Sequence, residues 1–181
     1  VAVTGGGSHT IVVGDNDLLT VASVYGTPEP AVGTYVVAKR TSQTCSVNSP
    51  IAGGTTQYVC TGWAGTGSVP VSGISTSVTF VITNDSAITW AWTTNYWLVP
   101  AVSGYGSVGV SASWQEVDSN ISITAVPSNG YHFVDWTGDI TSTNNTLNVT
   151  MTRPYMVTAN FAINEYTIAA TAGANGQISP S

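Results

Sequence analysis

The 181-residue sequence predicts an all-β protein made of two small, Ig-like β-sandwich domains in tandem, with an orphan strand at each end of the chain. Three observations support this fold class. Apolar and polar residues alternate with a period of two in several short segments, no helical period persists for ten residues, and two blocks of sequence each occur twice. Thr, Val and Ile, which favour strands, dominate these segments.

The clearest alternation lies in three segments bounded by Gly, Asn, Pro and Ser. They read "SNISITAV" at 119–126, "TLNVTM" at 146–151 and "YMVTANF" at 155–161. Every second residue is apolar, which is typical of strands with one buried face in antiparallel sheets. The residues predicted to face inward are Ile121, Ile123, Ala125, Leu147, Val149, Met151, Tyr155, Val157, Ala159 and Phe161.

The repeated blocks set the domain organisation. "YVCTGWAG" at 58–65 matches "YHFVDWTG" at 131–138 with an offset of 73, and "ITNDSAITWAW" at 82–92 matches "MTRPYMVTANF" at 151–161 with an offset of 69. The difference predicts four extra residues in the first copy, in the loop "GTGSVPVSG". An opening strand followed by a glycine turn occurs three times, as "LTVASVYG" (19–26), "LVPAVSGYG" (98–106) and "YTIAATAG" (166–173).

These patterns predict an N-terminal extension over 1–17, a first β-repeat over 18–97 and a second over 98–164. Residues 165–181 then open a third repeat of a longer array, or form a strand that adds to a neighbouring molecule. The second repeat resembles the divergent form of the internalin B-type repeat of bacterial surface proteins. The resemblance covers residues 98–162 and lies in the following positions: Ala125, Pro127, Gly130, Tyr131, Phe133, Trp136, Gly138, Val149, Met151, Val157, Ala159 and Phe161.

This resemblance implies an exported, non-catalytic module that occurs in tandem in long surface proteins, and it gives no catalytic residue. The match is weaker over 18–97, where Cys60 and Trp92 stand in place of two Phe residues. Composition agrees with an extracellular or cell-surface location. Only 7% of residues are charged, against about 25% in an ordinary soluble protein, and Thr, Ser, Asn and Gly dominate the polar residues.

Charge and hydropathy restrict the partners. Three basic against nine acidic residues argue against binding to nucleic acid or anionic lipid, since both need Lys and Arg. No apolar run approaches the roughly 20 residues needed to insert across a membrane. No motif predicts a cofactor, a metal or an enzyme. Asp15, Asn16 and Asp17 could supply oxygen ligands to calcium, but an Asx turn is the favoured interpretation.

The two cysteines, Cys45 and Cys60, are 15 positions apart. In an exported chain this spacing predicts a disulfide between adjacent strands, with two buried free thiols as the alternative. Four Asn-x-Ser/Thr sequons are candidate glycosylation sites, at Asn84, Asn120, Asn144 and Asn148.

Six tryptophans raise the question of sugar binding. Trp63, Trp90, Trp92 and Trp136 fall on predicted inner faces and are interpreted as core residues. Trp97 and Trp114 have no equivalent in the other repeat, so they are the candidates for stacking against a sugar ring.

The orphan strands predict assembly. "SHTIVVG" at 8–14 and "EYTIAATAG" at 165–173 alternate and belong to neither full repeat. The candidate inter-subunit residues are His9, Thr10, Ile11, Val12, Val13, Tyr166, Thr167, Ile168, Ala169 and Ala170. Strand addition between copies would build a head-to-tail filament or stalk, with the chain as its own partner. The alternatives are a carbohydrate-binding adhesin module and a passive spacer of a larger surface protein.

Overall fold

A computed structural model of the protein describes residues 14–177 and Ser179. These residues form fourteen strands, which confirms the all-β prediction, and none of them lies in a helix that is long and apolar enough to cross a membrane. The chain divides into two compact units, with the boundary between Tyr96 and Trp97.

The first unit contains seven complete strands and the start of an eighth. They are β1 (Asn16–Ala22), β2 (Gly33–Ala38), β3 (Ser42–Ser46), β4 (Ile51–Gly53), β5 (Thr56–Thr66), β6 (Ser72–Gly73), β7 (Ser77–Val81) and the residues up to Tyr96 of β8 (Ser86–Ser103). One sheet has the order β2-β1-β8-β5, with the short β4 and β6 paired to β5. Strands β3 and β7 form a separate antiparallel pair.

The core of the first unit lies between these two groups of strands. Its buried side chains come from both, with Leu19, Val21, Ile88 and Trp90 on one and Cys45, Val78 and Phe80 on the other. Because alternate residues of each strand point inward, the period-two pattern of the sequence becomes a two-layer arrangement. Trp63 and Trp92 pack partly buried against this core, which confirms their interpretation as packing residues.

The second unit contains the rest of β8 and six further strands. They are β9 (Gly106–Val108), β10 (Ser113–Glu116), β11 (Asn120–Pro127), β12 (Tyr131–Gly138), β13 (Thr146–Thr150) and β14 (Tyr155–Ile163). Strand β14 lies between β12 and the end of β8, and β10 also pairs with β8. The order β13-β11-β9 forms the other sheet.

Of the ten side chains that the alternation predicts to face inward, eight are buried, whereas Ile121 and Tyr155 are half-buried. The buried residues of the second unit include Leu98, Ile123, Ala125, Trp136, Leu147, Val149, Met151, Val157, Ala159 and Phe161. Burial of one such aliphatic or aromatic side chain contributes about 1.5–3 kcal/mol, so this set is the main source of stability for the unit.

Equivalent residues of the two units are paired in the same way, which confirms the sequence offsets of 73 and 69 between the repeated blocks. Trp63 pairs with Trp90 in the first unit, and Trp136 pairs with Ala159 in the second. A β-bulge interrupts each pair at the equivalent place, between Cys60 and Gly62 and between Phe133 and Asp135. The four extra residues of the first unit lie between β5 and β7, where β6 forms.

Two expectations from the sequence are wrong. The sheets are not wholly antiparallel, because the first and last strands of each unit pair in parallel: Leu19 with Ser86, and Leu98 with Tyr155. Nor do the cysteines form a disulfide. Cys45 pairs with Val78 and Cys60 with Trp92 on different sheets, and both are buried free thiols in the same core.

Candidate intermolecular segment and exposed aromatic clusters

The segment that follows β14 is anchored at its start. The backbone N–H of Asn164 donates to the Gly130 carbonyl at 2.8 Å, and the Asn164 side-chain oxygen lies 3.0 Å from His132 Nδ1. A shallow cleft of about 580 Å³ lies here, lined by His132, Ala162, Ile163, Asn164, Glu165 and Tyr166. The anchor fixes the point at which the chain leaves the sheet.

Beyond the anchor, residues 166–170 form no strand, although their sequence alternates. Tyr166 and Ile168 are 82% and 89% exposed. In the matching opening strand of the first unit, Leu19 and Val21 are 0% and 1% exposed. A single extended segment is not stable without a partner strand to take up its backbone hydrogen bonds. The segment therefore carries the pattern of a strand without the pairing of one.

The N-terminal candidate segment cannot be compared in the same way. Residues His9 to Val13 lie outside the described residues, and their inter-subunit role stays a prediction. The inter-subunit role of Tyr166 to Ala170 also stays a prediction, although these residues are exposed.

Trp97 and Trp114 lie against each other. Their ring centroids are 5.0 Å apart at an interplanar angle of 61°, and both side chains are half-buried. The sequence alone indicates no packing partner for either ring, because the contact depends on the pairing of β10 with β8. Each ring retains some exposed area, and their stacking against a sugar stays a prediction.

Each unit also contains a pair of tyrosines in contact, which was not predicted from the sequence. Tyr25 stacks on Tyr58 with centroids 3.7 Å apart and an interplanar angle of 10°. In the second unit Tyr105 contacts Tyr131, with centroids 4.9 Å apart and an angle of 37°. The sequence contains a signal for these pairs. The segments "VYG" and "GYG" end two of the predicted opening strands, and Tyr58 and Tyr131 begin the matching blocks.

Three of the nine acidic residues, Asp15, Asp17 and Asp139, form ion pairs with basic side chains. Lys39 Nζ lies 3.1 Å from Asp15 and 3.5 Å from Asp17, and these carboxylates raise the pKa of the Lys39 ammonium. Arg153 donates to Asp139 at 2.9 Å. Within 14–177, no group of three His, Cys, Asp or Glu side chains could hold a metal ion.

All four sequon asparagines are exposed. Asn84 accepts a hydrogen bond from Ser68 at 2.6 Å, and Asn120 accepts one from Thr150 at 2.6 Å. Asn144 lies before β13, and Asn148 lies on the polar side of that strand. Their glycosylation stays a prediction.

The fold and these surfaces are those of a β-repeat module. Comparison with known protein families finds a family model that matches its second unit. Residues 99–165 match the family model described as "Divergent InlB B-repeat domain", which confirms the resemblance drawn from the sequence. This family is a non-catalytic repeat that occurs in bacterial cell-surface proteins. Searches among curated proteins and among solved structures found no match to the chain.

Proposed function

We propose that the protein is a structural segment of an extracellular filament or surface stalk, in which neighbouring subunits are joined by β-strand addition. The segment that begins at Tyr166 acts as the donor strand. The single observation that carries this proposal is the exposure of Tyr166 and Ile168, whose counterparts Leu19 and Val21 are buried. Pairing would satisfy the backbone of the segment and remove both apolar side chains from water.

The open edges of the sheets offer the acceptor for this strand. In each unit the position beside the last strand is already filled, by β1 in the first and by β8 in the second. A donor therefore adds to an edge strand and does not insert into a vacant groove. Strand β2 ends the sheet order of the first unit, and its Val36 is 70% exposed. An edge strand with an exposed apolar residue is suited to such addition.

The tandem arrangement suits a stalk. Two units with equivalent registers, each with core residues drawn from two sheets, fit small Ig-like β-sandwiches that can be multiplied along a chain. Addition of the C-terminal segment of one copy to the first unit of the next is a heterologous contact. Such contacts extend into an open filament when the rotation between copies does not close a ring.

The test compares two substitutions on opposite faces of the donor segment. Ile168→Asp places a charge where the segment buries an apolar side chain on pairing, whereas Thr167→Asp places it on the other face. Both residues are exposed, so neither variant should change the thermal unfolding of the monomer. Negative-stain microscopy and sedimentation should show filaments for the wild type and Thr167→Asp, and single particles for Ile168→Asp.

The same assay separates the competing ideas. If Ile168→Asp forms filaments of wild-type length, the C-terminal donor is wrong. Deletion of residues 1–14 then tests the N-terminal candidate, His9 to Val13. A wild-type protein that stays monomeric and binds glycans, with loss of binding on replacement of Trp97 and Trp114, would favour the adhesin module. A monomer without glycan binding would favour the passive spacer.

A further inference from the structure

Each unit holds a pair of tyrosines in contact, at the turn that follows its first strand. The two pairs, Tyr25–Tyr58 and Tyr105–Tyr131, join equivalent parts of the repeat. The first pair has the closer geometry, because its rings are nearly parallel at 3.7 Å and overlap face to face. Tyr25 remains 38% exposed, so small reagents can reach it.

The surrounding residues hold the first pair in place. Trp92 meets Tyr25 edge-on with centroids 6.0 Å apart, and its Nε1–H donates to Ser23 Oγ at 3.0 Å. Ser23 Oγ in turn donates to the Tyr25 carbonyl at 2.6 Å. Because the two rings are already held in contact, they do not have to meet by diffusion. Reaction between them is therefore favoured over reaction with a ring of another chain.

We propose that Tyr25 and Tyr58 are an oxidative cross-linking site, at which a haem peroxidase with hydrogen peroxide joins the two rings as dityrosine. Each phenol loses one electron and one proton, which together reduce one H2O2 to two water molecules. The two tyrosyl radicals couple through one ring carbon ortho to each hydroxyl. The hydrogen on each coupled carbon then moves through solvent to the phenolic oxygen, so the product lacks two hydrogens.

The protonation state of Tyr25 is compatible with this reaction. Partial burial, followed by the charge and hydrogen bonding of Tyr58, raises the pKa of the Tyr25 phenol. The phenol therefore stays protonated at neutral pH and can give up its hydrogen. The product would join two residues that are 33 positions apart, one in the first turn and one in β5, in a unit whose two cysteines are unpaired.

The positions of the basic residues give a direct assay. Trypsin cleaves after Lys39 and Arg40, between Tyr25 and Tyr58, whereas Arg153 precedes Pro154 and resists cleavage. The full chain is treated with a haem peroxidase and hydrogen peroxide at low concentration, and is then denatured and digested. We expect the two fragments to remain joined, with a mass lower by two hydrogens and with dityrosine fluorescence. Tyr105 and Tyr131 lie on the same fragment, so a bond between them would add to the fluorescence but could not join the two fragments.

Matched variants decide the outcome. Tyr25→Phe and Tyr58→Phe keep the rings and should each release the fragments. Tyr35→Phe should not, because the Tyr35 hydroxyl donates to the Ala31 carbonyl and the ring is not part of the pair. Unchanged thermal unfolding of each variant shows that its fold is intact. Separate fragments from the oxidised wild type, or joined fragments from Tyr58→Phe, would overturn the proposal.

Discussion

At the scale of single residues, a glycine that follows the first strand of each unit makes room for an aromatic ring of the last strand. A Cβ added at Gly26 would lie 2.9 Å from Trp92 Cη2, and one added at Gly106 would lie 2.6 Å from Phe161 Cδ2. Real Cβ atoms do not approach other atoms this closely, so a side chain would force the ring to move. The position of each ring therefore depends on the absence of a side chain at the glycine beside it.

Gly106→Ala tests this packing without a change in backbone preference, because Gly106 has no left-handed φ, unlike Gly26. We expect a loss of about 1–3 kcal/mol in the free energy of unfolding, as for other overpacked cores. Gly109→Ala is the matched control, since an added Cβ there would meet nothing within 4 Å. Chemical denaturation measures both. Equal stability of the two variants would show that the Phe161 contact does not restrict this position.

Residue roles were predictable where the repeat supplied a comparison. Trp92 aligns with Phe161 and Trp136 with Trp63, so their inward positions followed from alternation in two copies. The predicted disulfide failed because sequence spacing does not tell which sheet a strand joins. Cys45 lies beside Val78 and Cys60 beside Trp92, in layers set by long-range pairing. The Trp97–Trp114 contact was missed for the same reason.

At the scale of elements, Asp139 fastens the start of β14 to the turn after β12. Its carboxylate accepts from the backbone N–H of Met156 at 2.7 Å and from the Arg153 guanidinium at 2.9 Å. These bonds lower the pKa of the Asp139 carboxyl below its ordinary value. Arg153 also stacks over the Tyr155 ring at 4.4 Å, so one charged pair orders the turn that precedes the last strand.

The pH dependence of stability reports on this turn. A carboxyl with a lower pKa in the folded state stabilises the fold above its unfolded-state pKa, and this contribution disappears as the pH falls through the folded-state pKa. Asp139→Asn should therefore be less stable than the wild type at pH 7. The difference should shrink as the pH falls below about 4, the range in which unfolded aspartate is protonated. Urea denaturation across this range measures it. A difference that is constant with pH would contradict the role of the charge.

Strands with one buried face were predictable, and their partners were not. The alternation in 119–126, 146–151 and 155–161 gave β11, β13 and β14 nearly residue for residue. The parallel pairing of β1 with β8 joins residues almost 70 positions apart, and alternation carries no information on strand direction. Residues 166–170 show the same limit of sequence patterns. Their alternation predicts a strand, but it does not identify the partner strand that such a segment needs.

At the scale of the whole molecule, the protein is stabilised with almost no help from ion pairs. In the part of the chain that the structure describes, the ion pairs are those of Lys39 with Asp15 and Asp17, and of Arg153 with Asp139. Each has a partly or mostly exposed member, and exposed pairs contribute little. The chain carries a formal net charge of −6. Long-range repulsion among carboxylates therefore opposes the few attractive pairs.

This balance predicts the response of the fold to salt. An increase from about 0.01 M to about 1 M sodium chloride reduces the Debye length from about 30 Å to about 3 Å and screens both effects. Because repulsion dominates and the core is apolar, the melting temperature should stay constant or rise by a few degrees. Arg153→Gln changes the net charge from −6 to −7 and removes an attractive pair, so its melting temperature should rise with salt by at least as much as that of the wild type. A melting temperature that falls steeply with salt would mean that attractive charge pairs, and not the buried residues of the two units, hold the fold together.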